Sequence, residues 1–376
     1  MMQKKLGIVG GGQLGRMLAQ AAKKLGVETI VLDPTPQSPA GQVASKQIIG
    51  DFKDPKKILE LAEKVDYLTF EIESAEAKIL KALEKAGKKV NPSPQTLETI
   101  QDKFKQKVFL QKNKIPVPKI IAIKSETDFQ EKINSFGFPV FLKAKFHAYD
   151  GHGNALIENQ SRQKKAFQKL EGKDLYMEDY VPFKKELAIQ IVRDIKGNIK
   201  VYPLVETIQK NNICHMVIAP AEVSEKIYKE AEKLAFSVGR LLKGAGIFGI
   251  EMFLTKEGKV LLNEIAPRVH NSGHYTIEAC STSQFEQHVR AVCGMKLGKT
   301  DMKVKHAVMI NILGERIGKA TVKGLEKVKK LPGVYVHIYG KFETRKERKM
   351  GHVTAIGNVL PDVLSKAKKV RSLITI

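Results

Sequence analysis

The chain of 376 residues is 43% hydrophobic and 28% charged, which predicts a soluble globular protein of two or three domains. This composition excludes a disordered tail, a coiled coil and a disulfide scaffold, and no apolar run is long enough to span a membrane. The formal net charge is +24, but only ten of the 64 basic residues are Arg and the lysines are scattered. A Lys-rich solvated surface explains this pattern, with a nucleic-acid surface as the alternative.

The three cysteines, Cys214, Cys280 and Cys293, are widely spaced and form no CxxC pair. Free thiols are typical of a reducing compartment, so we expect a cytoplasmic protein. The N-terminal segment MMQKKLGIVGGGQLG has only a short apolar run before a Gly-rich turn. It predicts a strand and not a secretory signal.

Strand and helix signals alternate from residue 4 to about residue 97. Strands are predicted at KLGIVG, VETIVLD and DYLTFEIE, and helices at QLGRMLAQAAKKLG and DPKKILELAEKV. This alternation predicts a parallel sheet covered by helices on both faces. The turn-rich segment NPSPQT then marks a domain boundary.

Residues 98 to about 297 predict a larger α+β unit. TLETIQDKFKQKVFLQKNK predicts one helix, SEKIYKEAEKLAFSVGRLLK predicts an amphipathic helix, and GIFGIEMFLT and KVLLNEIAPR predict a hairpin around a Glu257-Gly258 turn. The remaining residues predict a small β-rich unit. We therefore expect an α/β protein with domains at 1–97, 98–297 and 298–376.

A Gly-rich loop joins the first strand to the first helix. Gly10, Gly12 and Gly15 form a G-x-G-x-x-G pattern, and Asp33 ends the next strand. Such a loop brings backbone amides to a phosphate, as in the dinucleotide site of an NAD-dependent oxidoreductase. The alternative is that these glycines serve only tight packing between strand and helix.

Two lysines and a second Gly-rich loop suggest a triphosphate site. Lys103 lies on a predicted helix and Lys143 on a predicted strand, and the loop from Ala148 to Asn154 follows. Together they could neutralise and cover a triphosphate. Apolar neighbours surround Lys143, so we expect its charge to be buried and to need a partner.

Glu251 and Glu264 form a candidate metal pair. A two-residue turn at Glu257-Gly258 would place them directly opposite each other, since they are equally distant from it. Opposed carboxylates repel unless a cation lies between them, and Mg²⁺ prefers such oxygen ligands. The alternative is a register shifted by one residue, which would turn one of the two carboxylates to solvent.

Two polar segments follow this hairpin. NEIAPRVHNSGHYTIEAC concentrates polar groups after an apolar strand; zinc binding by His270 and His274 is an alternative there, although Gly273 between them favours a loop. YGKFETRKERKMGH gathers basic residues, which indicates either an anion clamp or a solvated hairpin.

Together these segments resemble the N5-carboxyaminoimidazole ribonucleotide synthetase family of the ATP-grasp superfamily. The resemblance rests on GGGQLGRM, TFEIE, QDK, YDGHG, NEIAPRVHNSGHYTIEACSTSQFEQHVRAV and YGKFETRKERKMGH, in the family's order. It implies a Rossmann-like N-terminal domain, an ATP-grasp domain and a small β-rich C-terminal domain, paired as a homodimer. It also implies a ligase that binds no nucleic acid and no membrane.

The resemblance implies the following ATP contacts, which include phosphate lysines, a mobile loop and a hinge strand: Lys103, Lys143, Ala148, Tyr149, Asp150, Gly151, His152, Gly153, Asn154, Glu178, Asp179, Tyr180, Val181, Glu186, Gln209, Asn263 and Glu264.

The resemblance also implies the acceptor site and the metal. Glu251 and Glu264 would carry Mg²⁺, with Mn²⁺ as the alternative ion. The implied reaction uses ATP and bicarbonate to make carboxyphosphate, which carboxylates aminoimidazole ribonucleotide in purine biosynthesis. The residues implied to meet this ribonucleotide or to act in catalysis are Gln13, Glu73, Tyr149, Asp150, Arg268, His270, Asn271, Lys341 and Arg348.

Three segments depart from the family pattern. Ala148 and His152 replace a Gly and a basic residue around Tyr-Asp-Gly, Gln209 stands where a His is usual, and RKERK lacks a Pro-Gly turn. Within the superfamily, a formate-dependent transformylase or a biotin-type carboxylase would share the ATP site but not the acceptor site. The oxidoreductase alternative leaves the carboxylate pair and the basic segment unexplained.

Overall fold

A parallel sheet with helices between its strands forms the N-terminal part of the chain. The computed structural model describes residues 3–146, 153–328 and 331–376. The first elements are β1 (Lys5–Val9), α1 (Gln13–Lys24), β2 (Glu28–Asp33), β3 (Lys46–Ile49), α2 (Pro55–Glu63), β4 (Tyr67–Phe70), α3 (Ala77–Lys85) and β5 (Lys89–Val90). The strands pair in parallel in the order β3-β2-β1-β4-β5, which confirms the predicted sheet. The short elements β3, α3 and β5 were not predicted.

A small antiparallel sheet comes next. Its region contains α4 (Pro94–Gln101), α5 (Lys103–Lys112), β6 (Ile120–Ile123), α6 (Glu126–Phe136), β7 (Val140–Ala144), β8 (Asn154–Ile157), α7 (Gln163–Lys169) and β9 (Leu175–Asp179). The strands pair in the order β6-β9-β7-β8.

The single helix predicted across residues 96–114 is wrong, because the helical backbone is interrupted between α4 and α5. Asp102 has extended backbone angles, φ −90° and ψ 104°. Its carboxylate accepts a hydrogen bond of 2.9 Å from the amide of Lys105. Asp102 therefore caps α5 and gives this second helix its own direction.

A long antiparallel sheet dominates the rest of the structure. Its region contains β10 (Phe183–Arg193), β11 (Ile199–Val201), β12 (Val205–Lys210), β13 (Ile213–Ala219), α8 (Glu225–Leu241), β14 (Gly246–Thr255), β15 (Val260–Ala266), α9 (Thr276–Ala279), α10 (Gln284–Val292), β16 (His306–Leu313), β17 (Gly318–Lys319), α11 (Leu325–Val328), β18 (Val334–Ile338), β19 (Glu343–Thr344), β20 (Lys349–Gly357) and α12 (Leu360–Ser372). The sheet order is β15-β14-β10-β12-β13-β16-β20-β18, with β11 beside β10. Strands β17 and β19 form a separate two-stranded sheet.

This long sheet crosses the boundary predicted at residue 297. β13 pairs with β16, so strands from both sides of the boundary share one set of backbone hydrogen bonds. One apolar core also joins α1, α10 and β16, through buried residues such as Leu18, Val289 and Met309. The three domain ranges stay predictions. Within the described ranges, no helix is long and apolar enough to cross a bilayer.

Candidate active site

Helix α5 buries a polar face. Its buried residues Lys103, Gln106, Lys107 and Leu110 have the i, i+3, i+4, i+7 spacing of one helix side. Two lysines inside the protein need anionic partners, because an unpaired buried charge is strongly destabilising. The carboxylates that meet these two lysines define the site.

Lys103 pairs with two carboxylates from distant parts of the chain. Its Nζ lies 2.8 Å from Glu264 Oε1 and 3.3 Å from Glu73 Oε2. Arg268 donates to the other oxygen of Glu73 at 2.6 Å. Burial opposes ionisation of Glu73, but the charges of Lys103 and Arg268 outweigh it and lower the pKa of Glu73 to about 2. Glu73 therefore stays ionised and ties the N-terminal sheet to α5 and to the segment after β15.

Glu251 and Glu264 are opposite each other across the β14–β15 hairpin, as predicted. The predicted two-residue turn is wrong, however. The Thr255 amide donates to the Lys259 carbonyl, so the loop comprises Lys256, Glu257 and Gly258. This longer loop shifts the register by one residue, and a bulge at Asn263 shifts it back before Glu264.

The carboxylate pair carries one charge that its surroundings disfavour. Burial, followed by the charges of Glu264 and Glu186, raises the pKa of Glu251 to about 8. His270 Nε2 lies 3.6 Å from Glu251 Oε1. Burial and the charge of Arg268 lower the pKa of His270 to about 3, so the ring is neutral at physiological pH. A divalent cation would supply the positive charge that Glu251 lacks.

A second buried cluster contains Glu178, Lys107 and Lys143. Glu178 Oε1 accepts a hydrogen bond from Lys143, and Lys107 Nζ lies 3.1 Å from Glu178 Oε2. Lys143 therefore has the partner that its apolar neighbours led us to expect. The Glu178 side chain faces these lysines from β9. A ligand contact from this strand would therefore come from its backbone or from the residues that follow it.

Gln106 fixes the helix that presents both lysines. Its Nε2 donates to the Ile265 carbonyl at 3.2 Å, and its Oε1 accepts from the Ile265 amide at 3.1 Å. These two hydrogen bonds hold α5 against β15 next to Glu264.

Replacing Gln106 by Leu should lower the free energy of unfolding by about 1–3 kcal/mol, because two buried peptide groups lose their partner. Chemical denaturation measures this loss. Gln111→Leu, on the exposed face of the same helix, is the matched control and should change stability by less than about 0.5 kcal/mol. Equal stability of both variants would contradict the role given to Gln106.

The N-terminal Gly loop is held by carboxylates of the chain itself. The Gly11 amide donates to Asp33 at 2.8 Å and the Gly12 amide donates to Glu71 at 2.7 Å. Gly10 has φ +98°, and a Cβ there would lie 2.9 Å from Glu71. These two amides are therefore committed within the protein, which weakens the dinucleotide interpretation of the loop.

The basic C-terminal segment lies beside this loop. Gln42, from the N-terminal part, donates to the Gly340 carbonyl at 2.7 Å. Lys341 donates to the Lys349 carbonyl at 2.8 Å, and Arg348 donates to the Glu343 carbonyl at 2.7 Å. Burial and the neighbouring Arg348 lower the pKa of Lys341 to about 7. The segment is thus more than a solvated hairpin, since its first lysine is mostly enclosed near Glu71.

Other predicted residues lie at the margins of these clusters. Gln13 begins α1 directly after the Gly loop. Glu186 on β10 lies near Gln209 on β12, and burial raises the pKa of Glu186. Asp179 ends β9, Tyr180 and Val181 lie between β9 and β10, and Gly153 directly precedes Asn154, the first residue of β8. Ala148, Tyr149, Asp150, Gly151 and His152 lie outside the described residues.

Asn271 is committed to the protein interior. Its amide and that of Asn311 exchange two hydrogen bonds, of 3.1 Å and 2.7 Å, between buried side chains. The zinc alternative at His270 and His274 gains no support, because no group of three or more His, Cys, Asp or Glu side chains in the described part of the chain is placed to hold a metal ion.

The sequence reasoning missed Lys107, Glu71, Gln106 and Asn311. Lys107 follows Lys103 by four residues, so the helical spacing already placed it on the same side. Glu71 lies two residues before Glu73 in TFEIE, directly after β4. Asn311 gave no signal, because nothing in its apolar strand indicates its partner.

Comparison with known families matches nearly the whole chain in three parts. Residues 2–101 match the family described as ribonucleotide synthetase preATP-grasp domain. Residues 108–285 match the ATP-grasp domain, and residues 307–366 match the phosphoribosylaminoimidazole carboxylase C-terminal domain. The α/β ATP-grasp fold class is therefore confirmed.

Two solved structures closely resemble this one. N5-carboxyaminoimidazole ribonucleotide synthetase from Thermotoga maritima is 47% identical, with a TM-score of 0.91 and 99% of both chains covered. The Aspergillus clavatus N5-carboxyaminoimidazole synthase in complex with ADP and 5-aminoimidazole ribonucleotide is 34% identical, with a TM-score of 0.91, covering 99% of this chain and 98% of that one.

Two curated relatives differ in length. N5-carboxyaminoimidazole ribonucleotide synthase from Bacillus subtilis is 39% identical over 349 residues, which are 93% of this chain and 90% of that protein. Phosphoribosylaminoimidazole carboxylase from Schizosaccharomyces pombe is 45% identical over 360 residues, 94% of this chain but 65% of that protein. The chain thus spans about two thirds of the fungal carboxylases it matches.

Proposed function

The chain belongs to the N5-carboxyaminoimidazole ribonucleotide synthetase family of ATP-grasp ligases, and we propose that its carboxylate pair, buried lysines and basic C-terminal segment form one active site. The reaction proposed is ATP plus bicarbonate to carboxyphosphate, followed by carboxylation of the amine of 5-aminoimidazole ribonucleotide, with release of ADP and phosphate. The observation that carries this assignment is the Glu251–Glu264 pair, which adjoins Lys103 on one side and His270 on the other.

The ATP side of the site rests on the two lysine clusters. Lys103 and Lys143 would exchange part of their present pairing with Glu264 and Glu178 for contacts to the phosphates. Further contacts proposed to ATP are those of Gly153, Asn154, Asp179, Tyr180, Val181, Glu186, Gln209 and Asn263, with Ala148, Tyr149, Asp150, Gly151 and His152 from outside the described residues.

The carboxylate pair suits a magnesium ion. Glu251 and Glu264 offer oxygen ligands from adjacent strands, and the raised pKa of Glu251 indicates a missing positive charge. Two protein carboxylates fit Mg²⁺ or Mn²⁺, which commonly take further oxygens from water and substrate phosphates. When bound, the ion would neutralise phosphate charge as it develops. Neutral His270 would hold Glu251 in place.

The acceptor side lies between the Gly loop and the basic segment. Gln13, Glu73, Lys341 and Arg348 are proposed to bind the ribonucleotide, together with Arg268, His270, Asn271, Tyr149 and Asp150 nearer the transferred carboxyl group. Arg268 is fixed by Glu73 through a 2.6 Å ion pair, which orients its guanidinium before any ligand arrives. Because the Asn271 side chain is bonded to Asn311, its part would be to shape the loop.

The decisive assay measures ADP release with each substrate omitted in turn. ADP should form at full rate only when ATP, bicarbonate and 5-aminoimidazole ribonucleotide are all present. Formate supporting turnover in place of bicarbonate would favour a transformylase, and ribonucleotide-independent carboxylation of biotin would favour a biotin-type carboxylase. Either result would overturn the acceptor assignment.

Lys341 should make ribonucleotide capture depend on pH. Its ammonium form is present below about pH 7 and is lost as the pH rises through that value. A phosphate monoester has a second pKa of about 6, so it is already mostly dianionic at pH 7 and above. kcat/KM for the ribonucleotide should therefore fall between pH 7 and 9. Lys341→Arg, which stays charged, should flatten that fall, and an unchanged slope would contradict the assignment.

We further propose a homodimer in the cytoplasm that binds no nucleic acid. The three cysteines lie in the described part of the chain and are buried thiols that form no disulfide, which suits a reducing compartment. Sedimentation equilibrium tests the dimer.

A further inference from the structure

Lys107 is the more deeply buried of the two lysines in the second buried cluster. It follows Lys103 by one helical turn on α5, and its side chain is only 4% exposed, against 16% for Lys143. Glu178, which is 2% exposed, lies between the two lysines and gives one carboxylate oxygen to each. Lys143 is therefore the lysine that a ligand can reach, and among the described residues Lys107 meets the site through Glu178.

The cluster has one more positive charge than it needs for neutrality. One carboxylate and one lysine would balance, and a Met at position 107 would fill similar volume without placing a second ammonium in the interior. Burial is indeed unfavourable for the charge, since it lowers the pKa of Lys107 in spite of the pairing with Glu178. The second lysine thus leaves the three groups with a net charge of +1.

We propose that Lys107 is a positioning residue that sets the charge of the ATP site: it neutralises Glu178 from behind, so that Lys143 keeps uncompensated positive charge for the ATP phosphates. Without Lys107, Glu178 and Lys143 would form a closed neutral pair, and a phosphate would have to compete with Glu178 for Lys143. This inference rests on the proposed function, because it assumes that ATP binds at Lys143.

The test measures ATP binding by calorimetry, without bicarbonate or ribonucleotide. Lys107→Met should weaken ATP binding by about tenfold or more, because it removes one nearby positive charge from a low-dielectric site. Lys107→Arg keeps the charge and should bind within about threefold of the unmodified protein. Lys105→Met is the matched control on the same helix; its half-exposed side chain pairs only distantly with Glu98, and ATP affinity should not change.

A double variant separates charge from structure. Lys107→Met combined with Glu178→Gln restores the net charge of +1, so ATP binding should recover to within about threefold of the unmodified protein. A purely structural role for Lys107 predicts no such recovery. Thermal melts check that each variant folds, and Lys107→Gln replaces Lys107→Met if the latter does not.

The outcomes are distinct. Normal ATP affinity in the neutral single variant, or a double variant that binds no better than that single variant, would overturn the inference about Lys107. Failure of the unmodified protein to bind ATP would instead overturn the proposed function.

Discussion

Glu264→Gln and Glu251→Gln should each lower the maximal rate of ADP release by about a thousandfold or more, while leaving the fold intact. Each change removes a negative oxygen ligand from the pair across the β14–β15 hairpin. Glu264→Gln also removes the closest partner of Lys103, whose pKa is raised by Glu264 and Glu73 in spite of burial. The two variants should therefore differ in their effect on Lys103 as well as in metal binding.

The measurement is ADP release as a function of Mg²⁺ and of Mn²⁺, with thermal melts as a check on folding. Glu257→Gln, in the exposed loop of the same hairpin, is the matched control and should retain nearly full activity. Glu251→Gln should fold at least as stably as the unmodified chain at neutral pH, because Gln replaces a carboxyl group whose burial disfavours its charge. Near-normal activity of both variants at limiting Mg²⁺ would remove the metal assignment.

Regular elements could be predicted where the residue pattern is itself strong. Helix α8 buries Ile227, Ala231, Leu234, Ala235 and Val238, all placed on one face from their spacing. The alternation of strands and helices likewise predicted the parallel sheet. β5 has two residues, and only one of the four residues of β3 is buried, so neither strand gives a pattern that separates it from a loop.

Irregular backbone could not be predicted, and the hairpin shows why. Its loop has three residues and not two, and the bulge at Asn263 compensates for this within one strand. The longer loop and the bulge shift the register in opposite directions. The predicted opposition of Glu251 and Glu264 was therefore correct, although the predicted loop was wrong. Asp102 is similar: Asp favours an N-cap over a helix interior, but within an otherwise helical run this preference did not show that a new helix begins there.

One site residue that was not predicted, Lys107, acts through another side chain. Lys143 was noticed because apolar residues flank it on a strand, whereas Lys107 stands in KFKQK, where most lysines would be exposed. Helical spacing places Lys107, and not Lys105, on the side of Lys103, but only the packing of α5 against β9 shows that Lys107 meets Glu178. Charge balance within a buried cluster is a property of contacts, and a single sequence does not contain those contacts.

A crossed pair of variants should separate the ribonucleotide side of the site from the ATP side. Arg348 lies in the basic segment with Lys341, and burial together with Arg345 lowers the pKa of Arg348 without removing its charge. A partly desolvated hydrogen bond from Arg to phosphate is worth about 1.5–3 kcal/mol, or roughly tenfold to hundredfold in affinity. Arg348→Ala should raise KM for 5-aminoimidazole ribonucleotide by that factor and leave ATP affinity within about twofold.

Lys143→Ala should show the opposite pattern, since its ammonium group lies in the Glu178 cluster and not in the basic segment. Lys346→Ala, an exposed change in the same segment as Arg348, controls for a general loss of surface charge and should affect neither substrate by more than about twofold. Titration of each ligand against all three variants gives the comparison. If Arg348→Ala weakened ATP and left the ribonucleotide unaffected, the basic segment would belong to the nucleotide site. The ribonucleotide would then have to bind without the basic segment, through the other residues proposed near the Gly loop and Arg268.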